Sequence, residues 1–198
     1  MKILGISCSP RKQQTTYTAL EACLASARSV APSIETQLIE LAGLDIRPCL
    51  ACSACKKALQ CPIDDDFASL IPLLADQQVA GMIIATPVYF GSMTAQCKAF
   101  LDRCVMFRRN GWLFENRVAG ALTVGAVRNG GQELTIQAVQ AACLCHNMIC
   151  VSDGRDTAHF GATLWSGHPD GIKNDTIGLE TTQNLGKRLA QLACQLCK

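Results

Sequence analysis

The sequence has little net charge and no long apolar run, and both absences narrow what the protein can do. Lys and Arg number 18 against 16 Asp and Glu, a formal charge of +2, and only 17% of residues are charged. A chain this close to neutral has no one-signed field to select nucleic acid or an anionic membrane, so neither is expected as a partner. No apolar stretch reaches the roughly 20 residues that a membrane helix needs. The segment Met1 to Ser7 is too short in its apolar part for an export signal and reads as a strand, so a cytoplasmic location is expected. Also missing are a Gly-x-Gly-x-x-Gly nicotinamide fingerprint, a Walker loop ending in Gly-Lys-Ser/Thr, and any nucleophile–base motif. With no repeat, low-complexity tract or Pro/Ser-rich linker, one domain is expected over residues 1–198.

Cysteine is abundant, at 13 residues. In an exported chain that count would suggest disulfides. In a reducing cytosol each cysteine acts as a small buried hydrophobe, a metal ligand or a redox thiol.

Short apolar runs alternate with longer helical periodicities, the pattern of a parallel sheet covered by helices. Strands are expected at 2–7, 34–41, 79–85, 117–124 and 148–151, and helices at 15–30, 64–76, 93–107, 131–145 and 177–197. The run at 79–85 is apolar throughout, as in a strand buried on both faces. Asp64-Asp65-Asp66 reads as a negative helix start suited to the helix dipole. Two segments stand outside the pattern: a Cys-rich loop at 45–63, and a Gly-, Asp- and His-rich stretch at 152–176 that reads as a long loop. In such sheets ligands sit at the carboxyl ends of strands beside the switch in strand order.

Three loops occupy those strand ends. The first, Ser7 to Thr16, combines hydroxyls, Arg11, Lys12 and a helix start, which together suit a terminal phosphate or simply form a capped polar turn. The second, Ala85 to Met93, sets Tyr89-Phe90 between Pro87 and Gly91, which suits a flat, partly polar ring or a tight turn around a buried Tyr. The third, Gly125 to Glu133, pairs Gly130-Gly131 with Arg128, which permits close backbone approach or is a Gly-rich turn with a solvated Arg.

Cys49, Cys52, Cys55 and Cys61 form a Cys-x2-Cys-x2-Cys-x5-Cys run ending in Pro62. Two successive x2 spacings let three thiolates surround one face of a cubane, and a fourth completes the set. Zinc, which prefers two separated Cys-x2-Cys pairs, ranks second, and four thiols without metal are a third reading. Lys56 and Lys57 beside the run offer docking for a small acidic electron-transfer protein, or are a solvated face. Cys23, Cys97, Cys104, Cys143 and Cys150 read as core fillers, and the terminal pair Cys194 and Cys197 as structural. His146, His159 and His168 show no metal-ligand spacing.

Ser9-Pro10-Arg11 with Thr15-Thr16, then Thr86-Pro87-Val88-Tyr89 followed by Lys98-Ala99-Phe100-Leu101-Asp102-Arg103, resembles the NADPH-dependent FMN reductase family. Arg128-Asn129-Gly130-Gly131-Gln132-Glu133 and the cysteine spacing resemble its iron–sulfur flavoprotein branch. The likeness spans about residues 1–145. It implies a flavodoxin-like α/β three-layer sandwich with a five-stranded parallel sheet in the order 2-1-3-4-5. It also implies FMN, its phosphate held by Ser9, Arg11, Thr15 and Thr16. Pro87, Val88, Tyr89, Phe90 and Gly91 would line the isoalloxazine, and Arg128 and Gly130 would close the other side. His159-Phe160 in the long loop offers a further cover. Gln13-Gln14 stands where family members often carry Asn-Gly-Asn, a departure in the phosphate loop. The branch implies a [4Fe–4S] cluster on Cys49, Cys52, Cys55 and Cys61. Superfamily members without a cluster carry much the same pattern, so cluster, zinc and free thiols stay open. A homodimer or homotetramer is a further implication of the family.

The expected activity is FMN-dependent NAD(P)H oxidoreduction, passing electrons from a nicotinamide dinucleotide to an unidentified acceptor. Hydride transfer to a flavin needs no side-chain acid or base, which agrees with the missing nucleophile–base motif. Two alternatives remain: a non-enzymatic electron carrier, against which the lack of strong acidity counts, and a thiol- or zinc-based redox sensor built on the 49–61 loop.

Overall fold

The computed structural model describes residues 1–168 and 170–196. In chain order the elements are β1 (Lys2–Ser7), α1 (Thr15–Arg28), β2 (Glu35–Glu40), α2 (Phe67–Ala75), β3 (Val79–Pro87), α3 (Ala95–Arg103) and α4 (Val105–Arg109). They continue with β4 (Val118–Gly125), α5 (Gln132–Leu144), β5 (Ile149–Cys150), β6 (Ala162–Trp165) and α6 (Thr176–Leu196). Strands pair in parallel in the order β2-β1-β3-β4-β5, as expected, and β6 also pairs with β4.

That sixth strand corrects the five-stranded expectation and the reading of 152–176 as loop throughout. β5 covers Val118 and Ala119 of β4, and β6 covers Leu122 to Gly125, so two short strands share one edge in tandem. β6 escapes notice in sequence because its alternation of buried Ala162 and Leu164 with half-buried Thr163 and Trp165 lasts only four residues among Gly, Ser and His. Its backbone is secured from α6 and the turn before it. Thr163 N–H donates to Thr181 Oγ1 at 3.1 Å and Trp165 N–H to Asp175 Oδ2 at 2.7 Å. Capping these donors keeps an edge strand from offering itself for further pairing.

Alternation along the strands sends side chains to two cores. Ile3, Ile83 and Leu122 pack with Leu20 and Leu24 of α1 and Leu185 and Leu189 of α6 on one face. On the other face, Leu4, Met82 and Ala121 pack with Phe67 of α2, Phe100 of α3 and Ile136 and Val139 of α5. Gly5 in β1 lets α1 sit close, since a Cβ there would fall 2.7 Å from Leu24 Cδ1.

Two further expectations change. Asp64-Asp65-Asp66 does precede a helix, but only Asp65 serves its start: α2 begins at Phe67, Asp65 Oδ1 accepts the Phe67 N–H at 3.2 Å, and the Asp66 side chain makes no cap bond and accepts the Asp45 N–H at 2.8 Å. The helix expected at 93–107 breaks at Cys104 into α3 and α4. Cys23, Cys97, Cys104 and Cys143 are buried, as fillers should be, while Cys150 and Cys194 are half-buried. Burial pushes the Cys23 thiol up to about 12 and raises Cys104 well above the usual thiol range, which keeps both protonated. Cys197 lies outside the described residues. No described helix is long and apolar enough to cross a membrane.

Candidate functional site

β1, β3 and β4 are neighbours in the sheet, so the loops that follow them emerge side by side at its carboxyl edge. Direct contacts join them. Thr94, which caps α3, donates its Oγ1–H to Cys8 O at 2.8 Å and so ties the second loop to the first. Gly131 of the third loop faces Gly91 of the second, where a Cβ would stand 3.2 Å from Gly91 Cα. Both glycines have positive φ (90° and 73°), so this approach needs glycine for conformation as well as for space.

The first loop keeps its donors available. α1 has no side-chain cap at Gln14, and the backbone N–H groups of Thr15, Thr16 and Tyr17 have no acceptor among the described residues. Thr16 is buried, Thr15 is half-buried, and Arg11 is exposed with no carboxylate partner among the described residues. Ser9 is buried, and its Oγ accepts the Arg11 N–H at 3.1 Å, shaping the turn. The departure at Gln13 is filled structurally: it adopts φ 51°, and its N–H donates to Glu40 Oε1 at 2.6 Å.

In the second loop Val88 N–H donates to Val124 O, and Tyr89 and Ser92 exchange backbone bonds of 2.8 and 3.1 Å across a tight turn with φ positive at Phe90 and Gly91. Pro87 and Val88 are half-buried, while Tyr89, Phe90 and Gly91 are exposed. A cleft of about 570 Å³ runs from Pro10 past Tyr89 and Thr94 to Asp45 and Pro48, connecting the first two loops with the base of the cysteine loop.

The third loop is organised by Gln132, which the sequence reading did not single out although it lies inside the quoted motif. Buried at the start of α5, it accepts the Gly130 N–H at 2.8 Å and donates to Val127 O at 2.7 Å. Arg128 pairs with the buried Asp175 at 2.7 Å and lies over the Trp165 ring, 5.2 Å from its centre. His159 borders the same region, held by Asp153 at 3.3 Å, with Phe160 exposed beside it.

Cys49, Cys52, Cys55 and Cys61 all line one small pocket, together with Arg103, Met106 and Arg109. Ala51 and Ser53 bracket Cys52 with φ of 53° and 63°, a left-handed bend that non-glycine residues adopt at a cost of roughly 1–2 kcal/mol each. Arg109 Nη1 donates to Cys55 Sγ at 3.2 Å, and Asn110 Nδ2 donates to Cys55 O at 2.8 Å. The base of the loop is held by a buried ion pair: Arg103 Nη1 and Nη2 reach Asp65 Oδ2 and Oδ1 at 2.6 and 3.1 Å, and Nη1 also reaches Arg47 O at 2.9 Å. Burial by itself would raise the Asp65 carboxyl pKa, but bonds from Arg103 and the Arg47 N–H outweigh it and hold the carboxyl below its ordinary value.

Among the described residues no group of three or more His, Cys, Asp or Glu gathers tightly enough to hold a single metal ion. Tetrahedral zinc needs four donors about 2.0–2.3 Å from one point. A cubane takes four cysteine thiolates as its donor set, and these four cysteines line one pocket with Arg103 and Arg109.

Sequence comparison shows the family and the fold. Residues 1–162 match the family described as NADPH-dependent FMN reductase. An iron–sulfur flavoprotein of Methanocaldococcus jannaschii is 44% identical over 193 residues, 97% of each chain. One from Methanosarcina thermophila is 38% identical over 192 residues, 97% of this chain and 95% of that one. Among solved structures, a flavodoxin-type, WrbA-like protein from Agrobacterium tumefaciens superposes over 98% of both chains with a TM-score of 0.66 at 18% identity, a likeness of fold. The matched span holds all three loops and all four cysteines of the pocket, and the chain belongs to the NADPH-dependent FMN reductase family.

Proposed function

We propose that the protein is an FMN-dependent NAD(P)H oxidoreductase that hands electrons on through a [4Fe–4S] cluster held by Cys49, Cys52, Cys55 and Cys61. The observation that carries this reading is the joining of the three loops at the switch edge, with a cleft leading from the first two of them to the base of the cysteine loop. Bound FMN would accept a hydride from the nicotinamide, and the cluster would carry the electrons away singly. The chain's own part is to bind and orient. The N–H groups of Thr15, Thr16 and Tyr17 at the start of α1, with the Thr hydroxyls and the Arg11 guanidinium, suit the flavin phosphate. The Gly91–Gly131 approach and the tight turn at Tyr89 and Phe90 shape the place for the ring, while Gln132 and the Arg128–Asp175 pair hold the third loop in place.

The test is an anaerobic absorption spectrum with iron and acid-labile sulfide measured on the same sample, followed by titration with NADH and NADPH. Flavin bands that bleach with either nucleotide, together with about four irons per chain, are expected. Bleaching without iron would remove the cluster from the proposal, and a colourless chain that takes up no FMN would remove all of it.

The phosphate assignment has its own check. Arg11→Ala is expected to weaken FMN binding by about 10- to 100-fold, the worth of a charge-assisted hydrogen bond of about 1.5–3 kcal/mol. Riboflavin, which lacks the phosphate, should bind the variant and the wild type alike. Equal losses for both ligands would place the phosphate elsewhere.

A further inference from the structure

The cysteine pocket holds two guanidinium groups with features the proposed reaction does not use. Arg109 donates to Cys55 Sγ at 3.2 Å and has no carboxylate partner among the described residues, so its positive charge faces the sulfurs without compensation. Arg103 is 2% exposed, and its two Nη atoms are engaged by Asp65 and Arg47 O. Its Nε is buried without any acceptor, and Cys61 lines the same pocket as Arg103. A buried donor left without a partner is costly, and its residue lines the pocket shared by the four thiols.

We infer that Arg109, supported by Arg103, is a positioning residue that eases one-electron reduction of the group held by the four cysteines. The inference rests on the cluster reading above. Four thiolates already give such a cluster net negative charge, and reduction adds one more electron. A donor on the Cys55 sulfur and an uncompensated cation beside it favour the more negative state, which raises the potential. Arg103 carries no net charge into the pocket, because Asp65 neutralises it, and supports Arg109 by holding the base of the loop through Asp65 and Arg47 O. The electron comes from the flavin reduced by NAD(P)H in the proposed reaction. No bond needs to form or break and no proton needs to move.

Arg109 is the position to test, since removing Arg103 would also strand buried Asp65. The iron-loaded, FMN-loaded protein and its Arg109→Gln variant would be titrated anaerobically through both couples, with iron and sulfide counted in each. The variant is expected to hold the full iron content and to take up the cluster electron about tenfold less readily, a fall of ~59 mV for a one-electron couple. The flavin couple should not move. An unchanged cluster potential at full iron content would overturn the inference while leaving the cluster reading intact. A variant that holds no iron would assign Arg109 to assembly and also overturn it. A wild-type chain that takes up no iron would overturn the cluster reading and this inference with it.

Discussion

An Asp65→Asn chain is expected to lose about 3–5 kcal/mol of stability, the usual cost of removing one partner of a buried ion pair. Asp65 and Arg103 are 0% and 1% exposed at their side chains, and their two-pronged contact is the only charge compensation Arg103 has among the described residues. Asn would also weaken the acceptor for the Arg47 N–H, bonded at 2.9 Å, and so loosen the strand of chain leading into Cys49. The loss should therefore appear as a lower urea midpoint and, with the proposed cluster loaded, as poorer retention of iron. Replacing both partners, Asp65→Leu with Arg103→Met, should recover part of the stability because no charge is then stranded. An unfolding free energy for Asp65→Asn within about 1 kcal/mol of wild type would mean that the pair is hydrated in solution and does not anchor the loop.

Acid sensitivity is the second large expectation, and it centres on His146. This imidazole is 7% exposed, tilted against Phe114 with ring centres 5.1 Å apart, and its Nδ1 has no partner. Burial, and after it the positive charge of Arg108, holds its pKa down at about 4. Unfolded, the same group titrates near 6.5. Between those values the unfolded chain takes up a proton that the folded chain refuses, so stability is fully present above pH 6.5 and falls as the pH falls to about 4. The loss over that window is about 3 kcal/mol. Below it the depressed Asp65 carboxyl adds its own loss, which begins under the ordinary carboxylate value and ends once the pH passes the folded value. Urea midpoints against pH, measured with FMN in fixed excess, should show the slope between 6.5 and 4 in wild type and a much flatter one in His146→Gln. A slope that survives the substitution would rule out His146 as its source.

The acidic triplet shows how local reading and packing divide the work. In sequence, Asp64-Asp65-Asp66 before an apolar helix looks like a helix start, because short-range electrostatics is all that spacing encodes. In the fold α2 begins at Phe67, whose N–H Asp65 accepts at 3.2 Å, and the same carboxylate also binds a guanidinium 38 residues away. Arg103 falls within the Asp102-Arg103 stretch that carries the family resemblance, but neither its role nor its partner is legible there. Arg109 carried no signal at all: it reaches Cys55 across 54 residues only because α4 packs against the cysteine loop.

What the sequence by itself determined was whatever repeats over short distances: alternating apolar runs for a parallel sheet, the strand order implied by family motifs, three polar loops at strand ends, and a cysteine run with cluster spacing. The sheet and its strand order hold in the fold because hydrophobic period and turn chemistry act over a few residues. Only the tertiary structure decided that Gly91 and Gly131 touch, that Arg128 turns to Asp175, that a four-residue strand completes the sheet edge, and that two arginines face the thiols. The physical reason is the range of the interactions. A partner across tens of residues is chosen by how whole elements pack, a sum of many weak contacts that no local spacing records.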